Sequence, residues 1–385
     1  MPLLWANTML TPEQIDALRD RVIQLADPLT EYLLADIARR VAAAGQLTST
    51  AAYQIWRAQQ LGMSQREIKK NLKEILKVSD ADIKKLLTQS AETGYNFDIK
   101  NLPTASAIPF ADNLPVQQMV SAAVKLARDD FTNLTQTLGM VDPYGNAMPL
   151  QDVYRKTMDY AFDQVFTGAT DYNTAVREAT ANIAKYGLRT IDYESGIHTS
   201  IEAATRRNIM GGIGLMSEQI SQYNHDELGA NGWEISAHAA PAPDHALIQG
   251  RQYSDADYTA LNNGLLRRIG TLNCGHMAFP IILGISQPQY TKEQLDQFAA
   301  SNADGIDYQG KHYMLYEATQ RQRDLERSIR LQKRRLLVAN ASGDMEQAQT
   351  AKTRLTVLRD TYTRFSKIAG LPMQNERQEI FKLAA

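Results

Sequence analysis

The chain has 385 residues, 44% of them apolar and 22% charged, which is the composition of a globular protein and excludes a disordered or membrane-embedded chain. Its formal net charge of −2 gives no global attraction to nucleic acid or to an anionic membrane, so any such contact must come from a local patch. A single cysteine, Cys274, rules out an intramolecular disulfide and suits assembly in a reducing cytoplasm.

The chain opens Met1-Pro2-Leu3-Leu4-Trp5 with no basic stretch ahead of an apolar core, and no long apolar run lacks a charge, so neither a signal peptide nor a membrane span is expected. Over residues 1–105, cap residues recur just before apolar positions at helical spacing, which predicts a bundle of short helices. Thr11-Pro12-Glu13-Gln14 starts one. Ser64 with Glu67 starts another after Leu61-Gly62, placing Ile68, Leu72, Ile75 and Leu76 on one face. Ser79 with Asp82 starts a further one, with Ile83, Leu86 and Leu87 inward. The stretch from Asn101 to Pro115 carries three prolines and reads as a linker, with a boundary near residue 105.

In the second unit, 106–190, Val120, Val124, Ala127, Phe131, Leu134 and Leu138 form the seam of a long helix ended by Gly139. A helix from about Leu150 to Phe166 follows, and Asn173-Thr174 caps another that stops at Gly187. The third unit, 191–310, begins with a helix from Thr199 to Met210 that carries the basic pair Arg206 and Arg207 just before Gly211-Gly212. Trp233, Ile235 and Ala237 then alternate with Glu234, Ser236 and His238 as on a half-buried strand. Turn residues cluster from Pro241 to Gly284, making this the one stretch expected to hold a small sheet, and Tyr308-Gln309-Gly310-Lys311 reads as a hairpin turn.

In the last unit, 311–385, Leu325, Ile329 and Leu336 precede the turn Asn340-Ala341-Ser342-Gly343-Asp344, and Leu355, Leu358, Tyr362 and Phe365 follow it. That pattern predicts an antiparallel helical hairpin, its first stripe interrupted by Gln332. The hairpin holds 15 Lys and Arg against 8 Asp and Glu, an excess that serves either solvation or contact with an acidic partner or DNA. Arg206, Arg207, Arg327, Arg330, Arg334 and Arg335 are the candidate contacts. The expected fold is mainly α: helical bundles, a small α+β domain and a C-terminal antiparallel helical hairpin.

Chemistry is concentrated in the turn-rich segment, where His238 and His245 precede Gly250 and Cys274 and His276 follow it. One thiolate and three imidazoles suit tetrahedral zinc, although Cys-x-His is tighter than the usual paired ligand element. The same groups also serve as hydrogen-bond partners of buried turns, which is the reading the spacing favours. A nucleophilic reading takes Cys274 as thiolate, a nearby histidine as base and Glu234 or Asp244 as its orienter; no nucleophile elbow marks it. Phosphate-loop, dinucleotide and His-Glu-x2-His signatures are absent from the sequence. No cofactor is expected beyond a candidate structural zinc.

The order Glu234-Ile235-Ser236-Ala237-His238, Pro243-Asp244-His245, Gln249-Gly250-Arg251-x-Tyr253, Gly270-Thr271-x-Asn273-Cys274-Gly275-His276 and Pro280 with Gly284 resembles the C-terminal core of the phage minor capsid protein 2 family. That family is itself distantly similar to the Mu F-like head morphogenesis proteins, whose basic pair, Trp, Gly-bearing turn and Asn-Cys element would correspond to Arg206-Arg207, Trp233, Gly250 and Asn273 to His276. The segment Tyr316 to Arg330 also looks like the family's C-terminal hairpin, and the N-terminal bundle resembles it more loosely. Where the family tends to carry Arg before Pro-x-His, this chain has Ala242. The resemblance implies a non-catalytic minor capsid protein of a tailed bacteriophage, a structural protein of head morphogenesis. It would be made in the host cytoplasm and present in multiple copies per virion, inside the head or at the portal vertex. Its implied partners are the portal protein, the major capsid protein or both, with packaged DNA as a further contact and no membrane. The alternatives are a virion-carried enzyme or toxin-like effector acting through the Cys/His cluster, or a head protein that binds DNA without sequence specificity.

Overall fold

The computed structural model describes residues 21–22, 24–102, 108–142, 144–192, 197–271 and 274–380. The expected helix start at Thr11 and the boundary near residue 105 lie outside these residues.

Helix α1 (Asp27–Ala44) is buried nearly all round, with Leu29, Leu33, Leu34, Ile37 and Val41 in the core alongside the charged Asp27, Glu31, Asp36 and Arg40. Buried charge is tolerated only when matched and hydrogen-bonded. Arg40 accordingly bonds Asp36 at 2.8 Å and Glu67 at 2.6 Å, and Tyr154 donates to Asp36 at 2.8 Å. Helix α2 (Thr50–Asn101) is one continuous helix of 52 residues, capped by Ser49, where a series of short helices was expected. Ser64 does not start a helix; its hydroxyl donates back to the Leu61 carbonyl at 3.0 Å, a bond available within an unbroken helix. At 1.5 Å per residue α2 is about 78 Å long, enough to serve two cores.

Helix α3 (Leu114–Gln136) is capped by Asn113 and buries Val116, Val120, Val124, Ala127 and Phe131. It stops before Gly139, because Leu138–Val141 is strand β1. Strands β1, β2 (Ala147–Pro149), β3 (Arg189–Ile191) and β4 (His198–Ser200) form an antiparallel sheet of order β2-β1-β3-β4. This second sheet was not expected, since strands of three or four residues offer too few positions for alternation to register. Gly139 is required inside it: a Cβ there would lie 2.1 Å from Ile191 Cδ1 and 2.4 Å from the Met148 carbonyl oxygen. Between β2 and β3 run α4 (Leu150–Phe166), with its expected limits, and α5 (Tyr172–Tyr186), which ends at Gly187 as expected. The cap of α5 is Asp171, whose carboxylate accepts the Thr174 N–H at 3.1 Å, rather than Asn173-Thr174.

Helix α6 (Ile201–Glu227) starts at the Ser200 cap and runs on through Gly211-Gly212, which were expected to end it. Strands β5 (Gly232–Ile235), β6 (Gln252–Ser254) and β7 (Ala278–Ile281) form a sheet of order β6-β5-β7, with helix α7 (Asp255–Gly264) after β6. Helix α8 (Lys292–Asp304) leads to the hairpin β8 (Ile306–Tyr308) and β9 (Lys311–Tyr313), turned by Gln309 and Gly310, both at positive φ. Helices α9 (Leu315–Ser342) and α10 (Met345–Ile368) fold back on each other about Gly343, whose φ is +77°. The fold is thus mainly α with small antiparallel sheets, as the sequence predicts.

Two large cores share α2. The first gathers Leu33, Leu34, Ile37 and Val41 of α1, Tyr53 of α2, Tyr154, Met158 and Phe162 of α4, Ile183 of α5 and Val338 of α9. The second joins Ile83, Leu87 and Tyr95 of α2 to Val120, Val124 and Phe131 of α3 and to Ile209, Ile213 and Ile220 of α6. In the hairpin, Ala318, Leu325 and Ile329 meet Leu355, Tyr362 and Phe365. Leu336 is outside that cluster, because beyond Gln332 helix α9 turns Leu337, Val338 and Ala341 toward the first core instead. Arg330 reaches the carboxylate of Asp27 at 2.5 and 3.2 Å, 303 residues away, and Arg334 bonds Glu202 of α6. These two arginines are therefore taken up inside the molecule, where the sequence had suggested outward contacts.

Removing one partner of a buried pair strands the other, which costs about 3–5 kcal/mol, whereas an apolar replacement of both is far milder. Arg330→Met should accordingly lower the thermal midpoint sharply, and Asp27→Leu with Arg330→Met should recover most of the loss. Equal losses in single and double variants would show that the pair does not govern this packing.

Asp98 is a second buried charge, accepting from Ser221 Oγ at 2.8 Å and Asn224 Nδ2 at 3.0 Å between α2 and α6. Burial pushes its carboxyl up to about 7 against the opposing pull of those two donors. The folded chain therefore holds a proton that the unfolded chain has released above about pH 4, so this stabilising contribution is complete at low pH and is lost as pH rises through about 7. Asp98→Asn, neutral throughout, should raise the thermal midpoint more at pH 8 than at pH 5. Parallel melting profiles for both chains across that range would contradict the assignment.

Candidate functional site

Strand β5 is the spine of the site. All four of its residues are buried, so the expected half-buried alternation gives way to a strand covered on both faces. Trp233 stacks between His225 at 5.0 Å and Tyr258 at 5.3 Å, opposite Pro280 of β7. Glu234 is wholly inside and accepts from Gln252 Nε2 at 2.9 Å and from the Gln289 N–H at 2.8 Å. Burial raises its carboxyl above the usual range, and those two donors oppose the rise. Beyond the strand, the Ser236 N–H donates to the Met277 carbonyl at 2.8 Å and the Met277 N–H to Ser236 Oγ at 2.9 Å. These bonds clamp the segments carrying His238 and His276 side by side.

The Pro-rich turn then returns the chain to the same point. The Ala242 carbonyl accepts from the N–H groups of His245 and Ala246, and Gly250, at φ +67°, donates to the Ile235 carbonyl at 2.8 Å. His245 Nδ1, Cys274 Sγ and His276 Nδ1 converge: Cys274 to His245 is 3.3 Å, Cys274 to His276 is 3.7 Å and the two nitrogens are 3.3 Å apart. His238 is next to them rather than among them, its ring 4.5 Å from that of His276 at 30°. The structure thus brings three of the four expected ligands into one cluster of donor atoms.

The outer nitrogens fix the tautomers. His245 Nε2 faces the Arg267 carbonyl at 3.0 Å, and a carbonyl can only accept, so Nε2 carries the proton. His276 Nε2 faces Gln249 Oε1 at 2.9 Å, and the identity of that oxygen is set by the His238 N–H donating to it at 3.1 Å. In their neutral forms both imidazoles therefore aim a lone pair from Nδ1 at the cysteine sulfur and at each other. Burial, then the charges of His238, His245 and Arg267, push His276 down to about 2. Burial lowers His245, but the Cys274 sulfur, the Arg267 carbonyl and Asp244 together outweigh it and the net shift is upward. For Cys274 burial raises the thiol, and the His245 contact more than offsets it, giving a net lowering. The cluster can consequently carry a thiolate beside an imidazolium, or a bound cation.

The other residues singled out in the sequence are dispersed. Asp244 receives Arg267 at 2.6 Å, which keeps its carboxyl low despite partial burial. The Arg251 carbonyl accepts from the Ile235 N–H at 3.2 Å and its side chain is exposed; Asn273 lies outside the described residues. Arg206 and Arg207 fall within α6, and Arg207 donates to Thr199 at 3.4 Å. Arg327 is exposed and bonds Asp324, while Arg335 is half-buried.

Two residues that hold the site were not read from the sequence. Arg267 contributes both a carbonyl to His245 and a guanidinium to Asp244, and nothing in Leu266-Arg267-Arg268 announces it. Gly214 did leave a signal, as the third glycine of Gly211-Gly212-Ile213-Gly214, but it reads as a helix breaker. It is a notch in α6: a Cβ there would lie 1.9 Å from the Gly270 carbonyl oxygen. Gly214→Ala must displace the loop that carries Arg267 and Cys274, so the thermal midpoint should fall and Cys274 should react faster with a thiol reagent. The neighbouring Gly212→Ala, with nothing within 4 Å of its Cβ, should do neither.

Two clefts, of about 530 and 580 Å³, flank α2, and neither is lined by a residue of the cluster. Nearly the whole of this chain is matched by a family model of phage capsid components, which makes it a structural protein of the bacteriophage capsid. The matching model is that of phage minor capsid protein 2, it extends over residues 10–367, and the chain belongs to that family. Comparison with curated proteins and with solved structures returned no match. Among the described residues no helix is long and apolar enough to cross a membrane.

Proposed function

We propose that this minor capsid protein is a non-catalytic assembly component that sits inside the head or at the portal vertex and docks on the portal or major capsid protein through α10. The observation that carries the reading is the division of labour within the C-terminal hairpin. Helix α9 turns Arg330 and Arg334 inward, to Asp27 and Glu202, whereas α10 leaves Lys352, Arg354, Arg359 and Lys367 exposed. Its two acidic residues are already engaged, Glu346 with Arg177 and Asp360 with Arg364. A basic helix face on a slightly acidic protein complements an acidic surface and speeds encounter with it. The non-catalytic part of the reading is supported by the site itself: His245 and His276 are each 2% exposed, a poor arrangement for a base that must meet a substrate.

Truncation near residue 310 would remove Arg330 and Val338 along with the hairpin and damage the fold, so it is a blunt test of docking. Charge reversal is sharper. Lys352→Glu with Arg354→Glu and Arg359→Glu touches exposed positions only, and should reduce the copies incorporated per purified particle by several-fold while leaving the melting temperature unchanged. Normal incorporation of that variant would remove α10 from the docking argument. If instead the wild-type chain binds duplex DNA with a steep salt dependence that the variant loses, the face contacts packaged DNA.

A further inference from the structure

We infer that His245, Cys274 and His276 form a zinc site that ties the turn of residues 241–250 to the stretch of residues 274–276. Tetrahedral zinc, with bonds of about 2.0–2.1 Å to nitrogen and about 2.3 Å to sulfur, places two nitrogen ligands about 3.4 Å apart and a nitrogen and a sulfur about 3.6 Å apart. The three distances here are 3.3 Å between the nitrogens and 3.3 and 3.7 Å from sulfur to nitrogen. They describe one face of such a tetrahedron.

The surroundings are those of a metal site as well. Both imidazoles donate their outer N–H to an oxygen, the Arg267 carbonyl and Gln249 Oε1, which is how metal-bound histidines are usually oriented. That arrangement turns two Nδ1 lone pairs toward one sulfur inside the protein, and a single proton can serve only some of these contacts. A divalent cation serves all three atoms at once. The stretch tied in this way continues from the one that packs its Gly270 carbonyl into the notch at Gly214. The ligands come from segments 29 to 31 residues apart in sequence, so the metal would close a loop that the short strands around it hold only weakly.

The full-length chain, purified without chelator and dialysed, should contain about one zinc per molecule, and the cobalt(II)-substituted protein should show a thiolate-to-cobalt charge-transfer band with intense tetrahedral d–d absorption. Cys274→Ser should abolish the charge-transfer band. His276→Cys, which keeps a ligand at that position, should retain the metal and strengthen the band, and so covers the case in which Cys274→Ser fails to fold. Chelation of the wild-type protein should lower its thermal midpoint, with recovery on adding zinc. Sub-stoichiometric zinc in wild-type protein even after incubation with zinc chloride, or a cobalt spectrum unchanged by Cys274→Ser, overturns the site and leaves the cluster as a proton-sharing thiolate–imidazolium pair. Because these readouts are metal content and absorption, they are independent of whether α10 docks on the capsid.

Discussion

The ion pair between Asp27 and Arg330 governs much of the rest of the structure. Inside a protein an unmatched charge costs several kcal/mol, so α1, whose first residue is buried, is accommodated where a guanidinium meets that residue. That requirement fixes the rotation of α9, and through the Arg334 to Glu202 contact it fixes the start of α6 as well. Helix α6 then carries the Gly214 notch against which the Cys/His loop rests. A chain of contacts thus connects the beginning of the described fold to its C-terminal hairpin and to the candidate site.

The sequence exposes the features that depend on neighbours in the chain. Helix α4 is bounded as its periodicity predicts, and the Gln309-Gly310 turn announces a hairpin because two consecutive positions need positive φ. Ser64 and Ser79 mislead because a serine inside a continuous helix has the same letters around it as a serine that begins one; the difference is whether its hydroxyl caps forward or bonds back to a carbonyl. The sheet of β1 to β4 is invisible because its pairing joins residues up to about fifty positions apart in three- or four-residue runs. Arg330 and Arg334 look like surface charge because their partners are 303 and 132 residues away.

The candidate site was legible in composition and not in connectivity. His245, Cys274 and His276 converge although their spacing departs from the usual ligand pairs, while His238 is held beside the cluster by its backbone bond to Gln249. The oxygens that orient the two imidazoles come from Arg267 and Gln249, and only the fold shows that they accept. Membership of the phage minor capsid protein 2 family gives this arrangement its setting, a structural protein of a bacteriophage capsid.

The 303-residue separation of Asp27 and Arg330 also has a consequence in time. A ribosome adds about 5–20 residues per second, so roughly 15 to 60 seconds pass between the emergence of α1 and that of the arginine that neutralises it. During that interval the nascent chain can pair α2 with α3 and α6, whose contacts are complete before residue 230, but α1 must wait with its acidic end unmatched. Helix α9 therefore acts as a closing bolt on α1. Until Arg330 has emerged, the acidic end of α1 lacks the guanidinium that bonds it, so packing of α1 against α9 completes only after α9 is made.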